Sequence, residues 1–382
     1  MIIVYFFCCL ILAISYIVLI HFYVKGWLKT THQNTNKIVQ ETLSLSVIVS
    51  VRNESKSIRR CIESIIAQQY PSRLMEVILV NDFSTDDTLD IIKEYSSAIR
   101  LINLSDLLPK DRENFANKKQ AITEAIKQAS HSLILCGDGD CFYGDLWVAS
   151  MIQYYEKYHK KFVTGPIDFI DSNGIWQNFL HMDLIAMNGV TAGSIGQKKP
   201  VMASGANMLF EKEAFLQVNG YAGNEHIASG DDIFLMQKIF MKDKKAIGFV
   251  KNRNAMALTK GPQTISEFIH QRIRWTSKSG EMVDKQVWWV LLFNYFFYLT
   301  CFLNLLILPW LDWVYLGFGI MMLGLKILID SLFFKNLLAF YSKPSLFKWI
   351  LPLELLHIIY VSLMGVLAIF GQYTWKGRSL KK

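Results

Sequence analysis

The chain has 382 residues and a net charge of +8; 52% of its residues are hydrophobic, 13% aromatic and only 19% charged, which excludes an ordinary soluble enzyme. That length accommodates one full catalytic domain together with membrane segments. The basic excess lies beside apolar runs (Lys25, Lys29, Lys335, Lys343, Lys348, Lys376, Arg378, Lys381 and Lys382), a membrane-flanking pattern that argues against a nucleic-acid partner.

Residues 2–24 are apolar apart from His21, with no charge before the run and Lys25 and Lys29 after it. A signal peptide carries its positive charges first and ends in a small-residue cleavage site. The reading is therefore a retained transmembrane anchor over 1–25 with its N-terminus outside, followed by a Thr/Gln/Asn-rich linker over 26–43.

Residues 44–262 carry a soluble-domain pattern. A short apolar run, Ser46 to Val51, ends at Arg52-Asn53-Glu54, and a helical pattern through Ile58, Cys61, Ile62, Ile65 and Ile66 breaks at Tyr70-Pro71. A second run from Glu76 to Val80 ends at Asn81-Asp82, with Ser84 expected to cap the helix that follows. A strand at Arg100–Ile102, a helix from Asn117 to Ala129 and a strand at Ser132–Leu135 lead into Asp138-Gly139-Asp140. Strands alternating with helices predict an α/β fold, a mostly parallel sheet covered on both faces. Polar residues recur where strands end, the side on which such sheets bind ligands.

Each motif has a chemistry and a plainer alternative. Asp138 and Asp140 offer hard oxygen ligands for Mg²⁺ or Mn²⁺ and hence for a diphosphate; alone, D-x-D is more often an acidic turn. Glu54 and Asp82 suit a base or ribose, or else cap a turn. Lys118 reaches toward a phosphate or simply lies in solvent. Gly205, in Ser204-Gly205-Ala206-Asn207, permits close backbone approach beside a sugar ring. Of the adjacent Asp231 and Asp232, one can act as general base, because the neighbouring charge resists simultaneous ionisation.

Downstream, residues 263–285 read as an amphipathic interface helix containing Gln271-Arg272-Ile273-Arg274-Trp275. Arg274 would neutralise a departing diphosphate, and Trp275 offers a flat face to a sugar. A transmembrane hairpin follows over 286–334, turning at Pro309-Trp310, with Trp288, Trp289, Trp310 and Trp313 as interfacial aromatics. Inside its second arm Lys326 and Asp330 are four apart and are expected to pair. Then come a basic cytoplasmic loop over 335–349, a transmembrane or re-entrant segment over 350–372 and a basic tail over 373–382. Four full crossings from an outside N-terminus would leave that tail outside, against the positive-inside tendency. Either one segment is re-entrant or interfacial, or the tail breaks the rule. The six cysteines show neither metal spacing nor a disulfide framework.

Taken together, Val51-Arg52-Asn53-Glu54, Val80-Asn81-Asp82-Phe83-Ser84-Thr85-Asp86, Asp138-Gly139-Asp140, Gly230-Asp231-Asp232 and Gln271-Arg272-Ile273-Arg274-Trp275 make residues 44–280 resemble the membrane-bound family 2 glycosyltransferases. That group includes cellulose, hyaluronan and poly-N-acetylglucosamine synthases and ceramide glucosyltransferases. The resemblance implies a GT-A catalytic domain between an N-terminal transmembrane helix and C-terminal ones. It implies Glu54 and Asp82 on the uridine, Asp138 and Asp140 on the diphosphate and metal, and Asp232 as base. Gln271, Arg274 and Trp275 would close the acceptor side and stabilise UDP. Asn81 stands where the family commonly has Asp, Phe83 where it has Gly, and Asp231 where it often has Glu.

The sequence is thus read as an integral protein of the cell inner membrane with a cytoplasmic catalytic domain. It is expected to move a hexose or N-acetylhexosamine, with inversion, from a UDP-sugar to a lipid or lipid-linked acceptor. A processive polysaccharide synthase is the alternative within the family. A nucleotidyl or phosphoryl transferase and an inactive scaffold of a synthase complex are the alternatives outside it.

Overall fold

The structure is a computed structural model; it describes residues 2–33, 43–108, 118–170, 174–224, 227, 229–276, 284–370, 373–375 and 378–380. Its strands are β1 (Leu45–Val51), β2 (Met75–Asn81), β3 (Arg100–Asn103), β4 (Leu133–Asp138), β5 (Cys141–Tyr143), β6 (Phe162–Thr164), β7 (Ile167–Phe169), β8 (Asn207–Glu211), β9 (Ile247–Phe249), β10 (Ala257–Thr259), β11 (Tyr373–Trp375) and β12 (Arg378–Leu380). Helices of the central region are α2 (Ile58–Ile66), α3 (Thr88–Lys93), α4 (Leu104–Leu107), α5 (Lys118–Gln128), α6 (Trp147–Tyr158), α7 (Ile175–Gly196), α8 (Lys212–Gln217), α9 (Asp231–Lys242) and α10 (Ile265–Thr276). The long apolar helices are α1 (Ile2–Lys29), α11 (Lys285–Phe302, prolonged by short π and 3₁₀ turns to Trp310), α12 (Val314–Phe340) and α13 (Ile350–Phe370).

A seven-stranded sheet runs in the order β3-β2-β1-β4-β8-β6-β9. Only β8 opposes its neighbours; the remaining pairs are parallel. β1 is central and covered on both faces, which is why it reads as a continuous apolar run. Val47, Val49 and Val51 enter the core under α2 and α6, while Ile48 faces the core under α5. The order reverses between β1 and β4, so their carboxyl ends diverge into a crevice. A small sheet, β5-β10-β7, flanks it. Asn207 ties the two sheets: wholly buried, its side chain donates to the carbonyls of Pro166 and Ala255 and accepts from Trp147 Nε1.

Several expectations are corrected. Ser84 caps no helix: its hydroxyl accepts from the Asn53 amide, and α3 begins only at Thr88. The first helix continues past residue 25 to Lys29, because Gly26 meets Gly193 of α7 in backbone contact. The helix expected to end at 334 runs to Phe340, since Leu337, Leu338 and Phe340 stay buried against the catalytic domain and α1. Residues 34–42 of the linker, together with Asn117 and Lys278, lie outside the described residues.

Among the described residues, four helices are long and apolar enough to cross a membrane. α1 and α12 pack along each other, Tyr5 against Tyr315 at one end and Trp27 against Phe340 at the other. The segment after α12 touches the catalytic domain, through Arg253–Ser342 and Lys343–Asp168. From there the chain passes Glu354, which pairs with Lys326, and then Tyr360, which packs on Phe268 of α10. β11 lies beside α10 as well. Both flanks of α13 are therefore on the catalytic-domain side.

Candidate active site and its cavity

The acidic motifs converge at the carboxyl ends of β1, β2 and β4. Glu54 follows β1, Asp82 follows β2 and Asp138 closes β4, and all three line one cavity of about 870 Å³ with Lys118, Asp140, Gly205, Asp231, Asp232, Gln271, Arg274 and Trp275. Every candidate site residue drawn from the sequence is in that lining.

Two loops are laced together at the carboxyl ends of β1 and β2. The Arg52 guanidinium donates to the carbonyls of Asp82 and Phe83, each at 2.9 Å, and the Thr85 amide donates to Asn53 Oδ1. The Ser55 amide donates to Asp86 Oδ2. Asp82 is 1% exposed beneath these loops, and Glu54 accepts from the Ser57 hydroxyl. Gly139 is needed here, because a Cβ would meet Val51 Cγ1 at 2.6 Å.

Asp138 and Asp140 present carboxylate oxygens within 4.8 Å of each other and of Cys141 Sγ. Their hard oxygens fit a divalent cation. Burial, with Asp140 and Asp138 adding to it, pushes the neighbouring Cys141 thiol well above the usual range, and its Sγ lies 3.5 Å from Asp140 Oδ1 as a weak donor.

Lys118, at the start of α5, bridges two motifs, 2.6 Å from Asp138 Oδ1 and 2.9 Å from Asp231 Oδ2. Burial works against its charge, but those carboxylates outweigh burial and hold the ammonium well above the ordinary lysine range. Asp138 moves upward, driven by burial and by Asp140 and Asp231 against the pull of Lys118. Asp231 therefore faces a lysine, and Asp232 lies beside it in the cavity lining. Both oxygens of Asp232 accept backbone amides, Gly205 N at 2.9 Å and Ile233 N at 2.7 Å, which fixes the carboxylate at the start of α9. A Cβ at Gly205 would meet Lys118 Nζ at 2.7 Å and Asp231 Oδ2 at 2.8 Å. Its role in this geometry is to hold Asp232 and admit Lys118.

α10 closes the site from below. The Arg274 carbonyl accepts from the Ser229 hydroxyl just before α9. Arg272 of the same motif is buried, 4% exposed; its guanidinium lies 4.3 Å from the Trp275 ring centre and pairs with Asp183 of α7. Asp183 also faces His357 Nε2 at 3.8 Å, and His357 Nδ1 faces Glu354 at 3.8 Å. Glu354 and Asp330 both pair with Lys326, and Tyr16 donates to Asp330 at 3.0 Å. The expected Lys326–Asp330 pair is present, with Glu354 as an additional partner. Asp183, Arg272, His357 and Glu354 escaped the sequence reading. An acid within the apolar stretch of α7 was the visible signal for Asp183.

Residues 46–218 match the family described as glycosyl transferase family 2, and residues 145–370 match glycosyl transferase family group 2. Among curated proteins, the poly-beta-1,6-N-acetyl-D-glucosamine synthase of Staphylococcus epidermidis is 25% identical over 300 residues, covering 73% of this chain and 69% of the relative. Glycosyltransferase AglE of Haloferax volcanii is 28% identical over 130 residues, covering 34% of this chain and 41% of that protein. Among solved structures, a mannosyltransferase from Pyrobaculum calidifontis in complex with GDP-Man and Mn²⁺ superposes with a TM-score of 0.59 at 15% identity, covering 97% of this chain and 99% of that one.

Proposed function

The chain belongs to glycosyltransferase family 2, and on that premise we propose that it transfers a hexose or N-acetylhexosamine from a UDP-sugar to a lipid or lipid-linked acceptor at the membrane face. The observation that carries the acceptor reading is the continuity of the cavity. It leads from the carboxylates of the sheet edge to Tyr16, Tyr298, Glu354 and His357 among the apolar helices. Along α11 its lining includes Trp288 and Leu291, which are 39% and 43% exposed. A chamber walled by a helix apolar enough to cross a membrane suits an acceptor that arrives sideways from the bilayer.

In this reading Glu54 and Asp82 hold the nucleoside, and Lys118 lies beside the diphosphate. A divalent cation, Mg²⁺ or Mn²⁺, held by Asp138 and Asp140 would neutralise charge on that diphosphate. Asp232, its orientation set by two amides, takes the proton from the acceptor hydroxyl as the oxygen attacks the anomeric carbon opposite the leaving UDP. Arg274 meets the negative charge that accumulates on the leaving group. Gln271 and Trp275 frame the acceptor side, and Asp231 keeps Lys118 in place. A single displacement of this kind inverts the anomeric configuration.

A processive synthase is the second reading, favoured by the named activity of the Staphylococcus relative. Product length with a labelled donor separates the two. The first test is UDP release by detergent-purified protein with Mn²⁺ or Mg²⁺, across UDP-glucose, UDP-N-acetylglucosamine and UDP-galactose, with a membrane lipid extract added. Release with one donor, lost on chelation and reduced about 10²–10⁴-fold in Asp232→Asn, is the expected result. A fully active Asp232→Asn protein would remove Asp232 from the role of base.

A further inference from the structure

The cavity continues well beyond what donor chemistry requires, and the charges along its inner half are informative. Three carboxylates, Asp183, Asp330 and Glu354, belong to that lining, and two cations, Arg272 and Lys326, pair with them. His357 sits between Asp183 and Glu354. With His357 neutral the set carries one net negative charge; with it protonated the set is balanced. In neither state does it hold positive charge in excess. These side chains are buried, Glu354 and Arg272 at 4% exposure and Asp330 at 3%, so water does little to screen an added charge there.

A second feature lies on α10. Gln271 Oε1 and the Nε of Arg272 are buried without a hydrogen-bond partner among the described residues, and both residues line the cavity. One is an acceptor and the other a donor. A hydroxyl can meet either, since it donates one hydrogen and accepts through its lone pairs. A fully ionised phosphate oxygen accepts only, and cannot serve Gln271 Oε1.

We infer that the inner half of the cavity is an acceptor subsite for an uncharged, hydroxyl-bearing lipid headgroup, such as that of a diacylglycerol or neutral glycolipid, and that it discriminates against a polyprenyl phosphate. The subsite rests on the glycosyltransferase reading above and narrows its acceptor. In a neutral glycolipid the further sugar hydroxyls donate to the chamber carboxylates, which only accept when ionised, while one hydroxyl reaches Asp232; the single hydroxyl of a diacylglycerol is the one that reaches Asp232. The acyl chains leave along α11 past Trp288 and Leu291. A phosphate monoester carried inward would face these carboxylates, whose partner cations Arg272 and Lys326 are already engaged by them.

The test uses the full chain in lipid nanodiscs with the donor that supports UDP release. Dioleoylglycerol, monoglucosyl dioleoylglycerol and undecaprenyl phosphate are supplied at equal membrane density. One of the two neutral lipids should stimulate UDP release over the acceptor-free rate at least about tenfold more than undecaprenyl phosphate does. Glu354→Gln removes a negative charge and should narrow that preference, whereas Glu354→Asp keeps the charge and should retain it. Asp183→Asn, which leaves Arg272 without its counter-ion, should narrow it too and serves if Glu354→Gln does not fold. Stimulation by undecaprenyl phosphate above both neutral lipids, no stimulation by either neutral lipid, or a preference unchanged in the folded charge-neutral variants would overturn the subsite. If no donor is turned over even without acceptor, it is the glycosyltransferase reading that fails.

Discussion

Phe83 adopts φ 49°, the left-handed region, in the loop after β2. A side chain of that bulk costs of order 1–2 kcal/mol there, a cost that glycine escapes. Its ring is half-buried against the core, so the position trades backbone strain for packing. Where the family commonly has Gly, this chain has kept the turn and changed the residue. Truncation separates the two effects: Phe83→Ala loses the ring and keeps the strain, while Phe83→Gly loses both. The Gly variant should therefore be the more stable of the pair by about 1 kcal/mol, read from denaturant midpoints or melting temperatures. In the same loop Asp86 gives a pH signature. Burial would raise its carboxyl, but hydrogen bonds from the Thr88 hydroxyl, the Ser55 amide and the Thr88 amide outweigh burial and hold it down to about 2. A group with a lowered folded value stabilises the fold above its unfolded value, about 3.9, and loses that contribution as pH falls toward 2. In Asp86→Asn the stability lost between about pH 4 and 2 should be smaller than in the parent chain, as melting temperature against pH will show. Glu54, Asp82, Asp138 and Asp140 were legible because they follow apolar runs that mark strand ends, and Asp231 and Asp232 because they open an apolar helical repeat. Arg272 was not. On a helical wheel it is one more basic residue of an amphipathic helix, and its partner Asp183 lies 89 positions away, a distance that periodicity cannot encode.

The elements themselves were largely written in the pattern, since β1, β2, β4, α2 and α5 each follow a local apolar repeat. The membrane helices were legible by length, but their number of crossings was not, because a re-entrant helix and a spanning one share the same composition. α13 has 21 residues, about 31 Å at 1.5 Å per residue, enough to span. Its neighbours point elsewhere. His357 meets Tyr298 of α11, and farther along α13 Gly365 lies so close to Tyr295 that a Cβ would sit 1.9 Å from its ring. As α13 advances, α11 is met at earlier residues, so the two are antiparallel. α10 packs on α13, and β11, just beyond the end of α13, also lies beside α10, so α13 ends on the catalytic-domain side. A topology of three crossings and one re-entrant helix would put the basic tail on the catalytic side and remove the conflict with the positive-inside tendency. A reporter active only in the cytoplasm, fused after Lys382, should be active. A periplasmic reporter at the same point should be silent, yet active when inserted between Trp310 and Trp313. The opposite result at the C-terminus would make α13 a fourth crossing.

At the scale of the molecule, α1 is a working wall of the chamber as well as an anchor. Its buried stripe, Cys9, Ala13, Tyr16, Ile20, Tyr23 and Trp27, turns toward α7 and α12. Gly193 comes so near the Tyr23 backbone that a Cβ would sit 2.5 Å from its carbonyl oxygen, so α7, a helix of the catalytic domain, is seated on α1 by backbone contact. Lys251, beside β9, donates to the Trp27 carbonyl at 3.0 Å and lies over the Trp27 ring. Tyr16 stacks on Phe297 and reaches Asp330, which joins α1 to the same polar set that lines the inner cavity. A tether could be removed and leave a soluble catalytic domain. A wall cannot: its loss would expose the small-residue face of α7 and strand Asp330 and Lys326 beside lipid or detergent, where an incompletely paired charge is costly. A chain shortened to begin at Leu43 should therefore not behave as a soluble, active enzyme. It should melt lower than the full protein in the same detergent and release no UDP, even though every carboxylate of the site is retained. Tyr16→Phe in the full chain should keep the helix packing and lose only the hydroxyl, giving a measurable but smaller loss of stability, about 1 kcal/mol. If the shortened chain instead turns over donor at the full rate, α1 is a tether after all, and the chamber is not needed for the chemistry at the sheet edge.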